Sequence, residues 1–286
     1  MSLCVVIPVY NEADVLPLTV PAILALDGVD EVVWVDDGST DSSRDVLASL
    51  TADSTTSTIL ELPSNQGRAA ARNAGVSSTG GETVVFLDSD VLPRADTAVQ
   101  LANGVAEGIV ATVAALRPQL GDRSDPYAHY LRAYPRGPHP AAAGPISWRY
   151  FVTAACAVRR SAFEHAGGFD ERLDYGEDLA LACRLATAHP HGLALAPTTA
   201  QLHGVGDLAE ALRHVREFGR SLRLIESDCP AVHSLVGMPS WARAAAPWIP
   251  SAPAVHRVVG RLPRRMVPRA VRYLLGHALL AAYARA

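Results

Sequence analysis

The chain has 286 residues, 49% of them apolar, and a formal net charge of -4 at pH 7, with a sequence pI near 6.2. That length and apolar content suffice for a substantial core in one large or two interlocked domains and exclude disorder as the main state. The acidic balance gives no footing for a nucleic-acid groove, because tracking phosphates needs a basic surface. A small anionic ligand held by local arginines stays compatible. All 25 residues counted as Lys or Arg are Arg, which reads as coding bias. Cys4, Cys156, Cys183 and Cys229 lack the paired spacing of zinc or redox motifs and are expected as reduced thiols in or near the core. The first residues lack the basic region, long apolar stretch and cleavage site of a signal peptide, and no apolar run approaches the roughly 20 residues of a membrane span. A cytoplasmic location is therefore expected.

In chain order, residues 3–9 read as a strand, 13–26 as a helix with Pro17 and Pro21 near its start, and 31–35 as a second strand, a βαβ unit. Ser39-Thr40-Asp41 offers N-caps for a helix through Val46, Leu47 and Leu50. A strand over 58–62, a helix over 65–76 and a buried strand over 83–87 follow. No Gly-x-Gly-x-x-Gly follows the first strand, which argues against a dinucleotide enzyme. A helix over 96–107 and a strand over 109–116 lead into an irregular stretch, 117–147, rich in Pro, Gly and Arg, the pattern of a binding loop or lid. Residues 151–158 are apolar again, 178–188 have helical spacing, and 207–225 repeat Leu208, Leu212, Val215, Phe218 and Leu222 with Arg213, Arg216, Arg220 and Arg223 interleaved.

Three apolar runs end in carboxylates or amides: Ile7-Pro8-Val9-Tyr10-Asn11-Glu12, Val35-Asp36-Asp37-Gly38-Ser39-Thr40-Asp41 and Phe86-Leu87-Asp88-Ser89-Asp90. Runs of this kind read as buried parallel strands, and ligands of open α/β sheets gather at the carboxyl ends of such strands. Asp88 and Asp90, two apart in a strand-end turn, can face one hard cation, which would neutralise a nucleotide diphosphate leaving group. A lone Asp-x-Asp is usually a structural turn; the strand ahead of this one argues for metal. Asp36 and Asp37 either brace the turn into Gly38 or accept a hydrogen bond from a base. Tyr10 offers an aromatic face, and Asn11-Glu12 either touch base and ribose or begin a helix.

With Gly176-Glu177-Asp178 further on, these motifs resemble glycosyltransferase family 2, the inverting enzymes of GT-A fold that use nucleotide-sugar donors. The likeness spans roughly the first three quarters of the chain. It implies an α/β, Rossmann-like mixed and mainly parallel sheet flanked by helices, with a helical C-terminal extension. Residues 1–92 would form the nucleotide-binding half, 93–226 the acceptor half and 227–286 the extension. It assigns nucleotide contacts to Pro8, Tyr10, Glu12, Asp36, Asp37, Arg72, Asp88 and Ser89, with the Asp36-Asp37 position reading uracil. Metal ligation, by Mg2+ or Mn2+, falls to Asp88, Asp90 and His203. Arg72, in Ala71-Arg72-Asn73, is either a base or diphosphate ligand or a solvated helix residue. Inversion needs a base to take the acceptor's proton, and the likeness puts Asp178 in that role, a helix N-cap being the plain alternative. Glu177 and Trp148 are candidates for acceptor contact; Trp148 also reads as a rim aromatic.

The implied reaction moves a sugar, of hexosyl type, from a UDP-sugar to a natural-product aglycone or carrier-bound small molecule. A polyprenyl phosphate or polysaccharide at the membrane surface is the alternative acceptor. From other classes, a nucleotidyltransferase or a non-catalytic nucleotide-sugar binder stays open. No nucleic-acid partner is expected. The extension, with Trp241, Trp248, Arg261, Arg264, Arg265, Arg269 and Arg272, has four readings: an anionic membrane contact, a cover for the acceptor site, an oligomer contact, or packing on the chain's own domain. Oligomeric state is not legible.

Overall fold

The computed structural model of the chain describes residues 2–134, 143–232, 259 and 262–285. The chain divides into two compact units: Met1–Arg117 with Gly137–Arg172 and Glu177–Gly204, and Pro118–Arg136 with Leu173–Gly176 and Val205–Ala286.

The first unit holds β1 (Leu3–Val9), α1 (Leu16–Leu24), β2 (Glu31–Asp36), α2 (Ser43–Thr51), β3 (Ser57–Glu61), α3 (Arg68–Ser77), β4 (Thr83–Leu87), β5 (Val91–Leu92), α4 (Thr97–Gly104) and β6 (Ala111–Pro118), the last reaching its boundary. Among the described residues a single mixed sheet runs β3-β2-β1-β4-β8-β6-β9-β5, where β8 is Ala155–Arg159, followed by α6 (Arg160–His165), and β9 is Leu193–Leu202; β7 (Gly144–Pro145) pairs with β9. β3, β2, β1 and β4 are parallel neighbours, whereas β4–β8, β8–β6 and β9–β5 are antiparallel. β1 and β4 are buried almost throughout because helices cover both faces of a parallel sheet. Register sets the site: Val9 lies opposite Asp36, and Val6 opposite Phe86, so Asp36 and Asp88 emerge at one sheet edge.

Under that edge, Val6, Val35, Val84, Phe86, Cys156, Phe163 and Phe169 belong to one core cluster. The rings of Phe86, Phe163 and Phe169 meet at centroid separations of 5.2–5.7 Å. Gly75 of α3 lets that helix lie close to the sheet, since a Cβ there would stand 2.3 Å from Val6 Cγ1.

The second unit contains α5 (Pro126–Ala133), α8 (Leu208–Asp228) and a C-terminal helix, Val267–Arg285. Its core joins Tyr127, Ala128 and Leu131 to Leu208 and Leu212 and to Val267, Val271, Leu274 and Ala278. α8 follows the predicted 3.6-residue period, and Asp207 caps it by accepting from Glu210 N. α5 corrects the expectation of an irregular stretch: Asp125 accepts from Tyr127 N and Ala128 N, and Pro126 enters the first turn with its φ already helical.

Two further expectations change. The α2 N-cap is Ser42, and Asp41 instead accepts from Ser43 N and Oγ. Cys4 and Cys156 are free and buried, but Cys183 and Cys229 are disulfide-bonded. The expectation of four reduced thiols thus holds for Cys4 and Cys156 only. Trp241, Trp248 and Arg261 lie outside the described residues.

Candidate active site

The turn after β1 and the loop after β2 are stitched together through Asn11. Its Oδ1 accepts from Thr40 N (2.8 Å) and Asp41 N (3.3 Å), and its own N–H donates to Ser39 Oγ (3.1 Å). Asn11 adopts φ 55°, a left-handed conformation that Asn tolerates because its side chain bonds locally. Glu12 N donates to Ser43 Oγ at the start of α2 (2.7 Å), so Asn11-Glu12 form a braced turn and α1 begins later than predicted, at Leu16. Tyr10 stands 40% exposed beside this edge, and Pro8 is half-buried within β1.

Asp36 and Asp37, both buried, do different work. Asp37 spends both oxygens on the loop before α3, accepting from Gln66 N (2.7 Å) and Gly67 N (2.9 Å). Burial raises its carboxyl above the ordinary range, the two amides draw it back, and Asp36 pushes it up again, with a net rise. Asp36 Oδ1 accepts from Ser39 N (3.2 Å), and its second oxygen has no partner among the described residues. Gly38 permits this packing. At φ 68° its absent Cβ would stand 2.6 Å from Ser64 Cα.

Arg72 of α3 is the centre of the site. Its guanidinium is 2% exposed and donates through Nη2 to Asp88 Oδ1 (2.6 Å) and through Nη1 to Glu177 Oε1 (2.8 Å). It lies 5.5 Å from the ring centre of Phe169. Burial opposes its charge, but the two carboxylates outweigh that and hold it protonated. Asn73 orients the same segment, donating to Phe169 O (2.9 Å) and accepting from Phe169 N (3.0 Å). Arg72 is thus not a solvated helix residue; it joins the end of β4 to the start of α7 (Glu177–Ala188).

Glu177 is 3% exposed and also stands 3.9 Å from Arg68 Nε. Its carboxylate is turned to these arginines, which corrects the picture of a residue facing an acceptor. Asp178, next to it, is half-buried and accepts from Leu179 N (2.7 Å). Burial first, then Glu177, push its carboxyl up to about 7, against the pull of Leu179 N–H, Arg72 and Arg68. The buried Cys156 thiol feels Arg72, Asp88 and Asp178 together, and its pKa is raised, chiefly by burial. Asp88 and Asp178, 90 positions apart in sequence, therefore converge around one residue of β8.

Ser89 is buried and Asp90 half-buried after β4. β5 pairs Val91 with Leu202 of β9, and His203 N donates to Asp90 O (2.8 Å), so His203 and Asp90 adjoin. His203 Nε2 is buried without a partner among the described residues. That orphaned imidazole nitrogen, on a residue whose backbone bonds to Asp90, is chemically suited to a divalent cation. Among the described residues, however, no three His, Cys, Asp or Glu side chains are grouped as a closed shell, and Asp88 is engaged by Arg72. Trp148 packs half-buried on the sheet core with Arg149 over its ring at 5.7 Å. Cys156 has no pointer in the sequence as a site neighbour; Arg68 and Asn73 fall in the Gly67-Arg68 and Ala71-Arg72-Asn73 motifs, and Phe169 in Gly167-Gly168-Phe169, without a role read for any of them.

Solved structures share this architecture. A mannosyltransferase, PcManGT from Pyrobaculum calidifontis, in complex with GDP-Man and Mn2+, aligns with a TM-score of 0.61 at 19% identity, covering 99% of this chain and 88% of that one. S. aureus TarS 1-349 in complex with UDP-GlcNAc gives 0.58 at 17% identity, over 99% and 90%. The fold is that of GT-A glycosyltransferases. Residues 4–167 match Glycosyl transferase family 2, and the chain belongs to that family. The Mycobacterium tuberculosis "Pre-mycofactocin glycosyltransferase" is 34% identical over 197 residues, 64% of this chain and 39% of that protein. The Salmonella choleraesuis "Undecaprenyl-phosphate 4-deoxy-4-formamido-L-arabinose transferase" is 39% identical over 117 residues, 38% of this chain and 36% of its own length. This chain thus spans about two fifths of these curated relatives.

Proposed function

We propose that this chain transfers a sugar, with inversion, from a UDP-sugar to a small or carrier-bound acceptor. The observation that carries the reading is the Asp88–Arg72–Glu177 bridge, which ties the acidic end of β4 to the turn bearing Asp178. In this reading Asp36, through its second carboxylate oxygen, accepts N3–H of uracil, while Asp37 holds the loop that shapes the base pocket. Tyr10 stacks on the base, and Pro8, Glu12 and Ser89 line the nucleoside. Asp178 takes the acceptor's proton as its oxygen attacks the anomeric carbon opposite the leaving diphosphate. A carboxyl pushed up to about 7 is matched to that task near neutral pH. A Mg2+ or Mn2+ ion held by Asp88, Asp90 and His203 would neutralise charge growing on the diphosphate as the glycosidic bond breaks.

For the acceptor, the mycobacterial relative, named for glycosylating pre-mycofactocin, supports the small-molecule reading. The undecaprenyl-phosphate transferase favours the second reading, a polyprenyl phosphate. Family membership sets the nucleotidyltransferase reading aside.

Thermal unfolding with UDP, GDP, dTDP and CDP, each with Mn2+ or chelator, tests the donor site, because a ligand that binds the native state raises the melting temperature. The expected result is a metal-dependent rise with UDP. A rise with GDP alone replaces the donor class, and no rise with any nucleotide defeats the reading.

A further inference from the structure

The charges of this chain are unevenly distributed. Residues 229–286 contain eight Arg and no Asp or Glu, whereas residues 1–228 hold all 29 acidic residues against 17 Arg. An acidic protein with a purely basic segment is arranged for an anionic partner at that segment.

Four of these arginines are among the described residues of the second unit. Arg264 and Arg265, just ahead of the C-terminal helix, and Arg269 and Arg272 on it are exposed. Ala270 N donates to Met266 O (3.1 Å), so the helical repeat reaches back to Met266. Arg269 and Arg272, three apart, then share one face of this helix, and Arg264 and Arg265 sit in the turn just ahead of it. Met266 and Tyr273, seven apart and 48% and 59% exposed, form an adjoining apolar stripe. The opposite stripe, Val267, Val271, Leu274 and Ala278, already serves the core of this unit. The exposed stripes are therefore not a core face awaiting burial. None of the four arginines forms an ion pair among the described residues; Arg272 lies over the Tyr134 ring at 5.3 Å.

We propose that this surface docks the second unit on an anionic lipid bilayer, with Arg264, Arg265, Arg269 and Arg272 at headgroup phosphates and Met266 and Tyr273 at the interface. Charge complementarity selects an anionic partner, and the apolar stripe selects lipid over nucleic acid. A phosphate backbone would leave Met266 and Tyr273 in water, whereas a headgroup layer takes up both, and tyrosine favours that depth. No helix among the described residues is long and apolar enough to cross a membrane, so the contact is peripheral. This inference uses the second unit alone and stands or falls independently of the sugar-transfer reading.

The experiment is co-sedimentation of the full chain with phosphatidylcholine vesicles and with vesicles carrying ~30% phosphatidylglycerol, at low and high salt, because surface electrostatics are screened by salt. Binding to the anionic vesicles only, lost at high salt, is expected. Arg265→Glu/Arg269→Glu lowers partition at least ten-fold, since each arginine near such a surface contributes about five-fold. Met266→Ser/Tyr273→Ser lowers it while leaving the salt dependence in place. Arg213→Glu/Arg216→Glu, the same four-unit charge change at two exposed positions of α8, leaves partition within two-fold and serves as the control for net charge. Circular dichroism melts verify that each variant is folded. Equal binding to neutral vesicles, no loss in Arg265→Glu/Arg269→Glu, an equal loss in Arg213→Glu/Arg216→Glu, or binding of a single-stranded oligonucleotide without vesicle binding would each overturn the proposal.

Discussion

Arg72 Nη1 and Glu177 Oε1 meet at 2.8 Å across 105 positions of sequence, with the side chains 2% and 4% exposed. A pair so buried contributes little net attraction beyond the cost of desolvation, but breaking it from one side leaves a charge stranded in the interior. Arg72→Met is therefore expected to cost about 3–5 kcal/mol, read as a lowered urea midpoint with an unchanged m-value. Adding Glu177→Met recovers most of that loss. If the double variant is no more stable than Arg72→Met, the stranded-charge explanation is wrong and Asp88 is the partner that matters.

Asp178→Asn keeps the shape of the residue and removes its basicity. Turnover is expected to fall by roughly 10²–10⁴-fold, the usual span for a lost general base, while UDP still raises the melting temperature as in wild type. The low-pH limb of the wild-type rate, rising through about pH 7 as Asp178 loses its proton, is expected to vanish in the variant. Undiminished turnover would remove Asp178 from the mechanism.

The same carboxyl predicts a pH trend in stability. Its folded pKa, about 7, lies above the unfolded value near 4, so the native state binds the proton more tightly than the unfolded chain. That contribution is fully present below about pH 4 and is lost as pH rises through about 7. Denaturant midpoints of wild type and Asp178→Asn are therefore expected to converge toward pH 4, with the variant the more stable at pH 8. An offset that is independent of pH would contradict the raised pKa.

Gly38→Ala tests the loop that Asp37 anchors. The φ of 68° disfavours any side chain there, and the new Cβ would press on the backbone of Ser64 and Asn65 at 2.6–2.8 Å. A loss of about 1–3 kcal/mol is expected, seen as a lowered melting temperature. UDP affinity is expected to weaken as well, because Gln66 and Gly67 move away from Asp37. Normal affinity in a destabilised variant would mean that this loop has no part in the nucleotide site.

His203→Phe fills the space of the imidazole without a ligating nitrogen. If Nε2 is a metal ligand, the Mn2+ concentration needed for UDP to raise the melting temperature increases about ten-fold or more. The metal-free melting temperature is expected to stay close to wild type, because that nitrogen has no partner among the described residues to lose. An unaltered Mn2+ dependence would limit the cation to Asp88 and Asp90.

Local pattern determined much of this protein by itself. Buried strands announce themselves as unbroken apolar runs, so the spans of β1 and β4 and the acidic residues at their ends were legible residue by residue, and the amphipathic period of α8 was equally plain. Asp125-Pro126 carried a readable helix start that the surrounding Gly and Arg obscured. Tertiary structure alone decided which charges meet. Whether Asp36 or Asp37 has an oxygen to spare depends on where Gln66 and Gly67 lie, and whether Arg72 is solvated or buried depends on Glu177, far along the chain. Strand and helix periods are set by neighbours a few residues away, which a sequence displays. Hydrogen bonds and ion pairs act over about 3 Å of space, and only the folded chain brings Asp88, Arg72 and Glu177 within that distance.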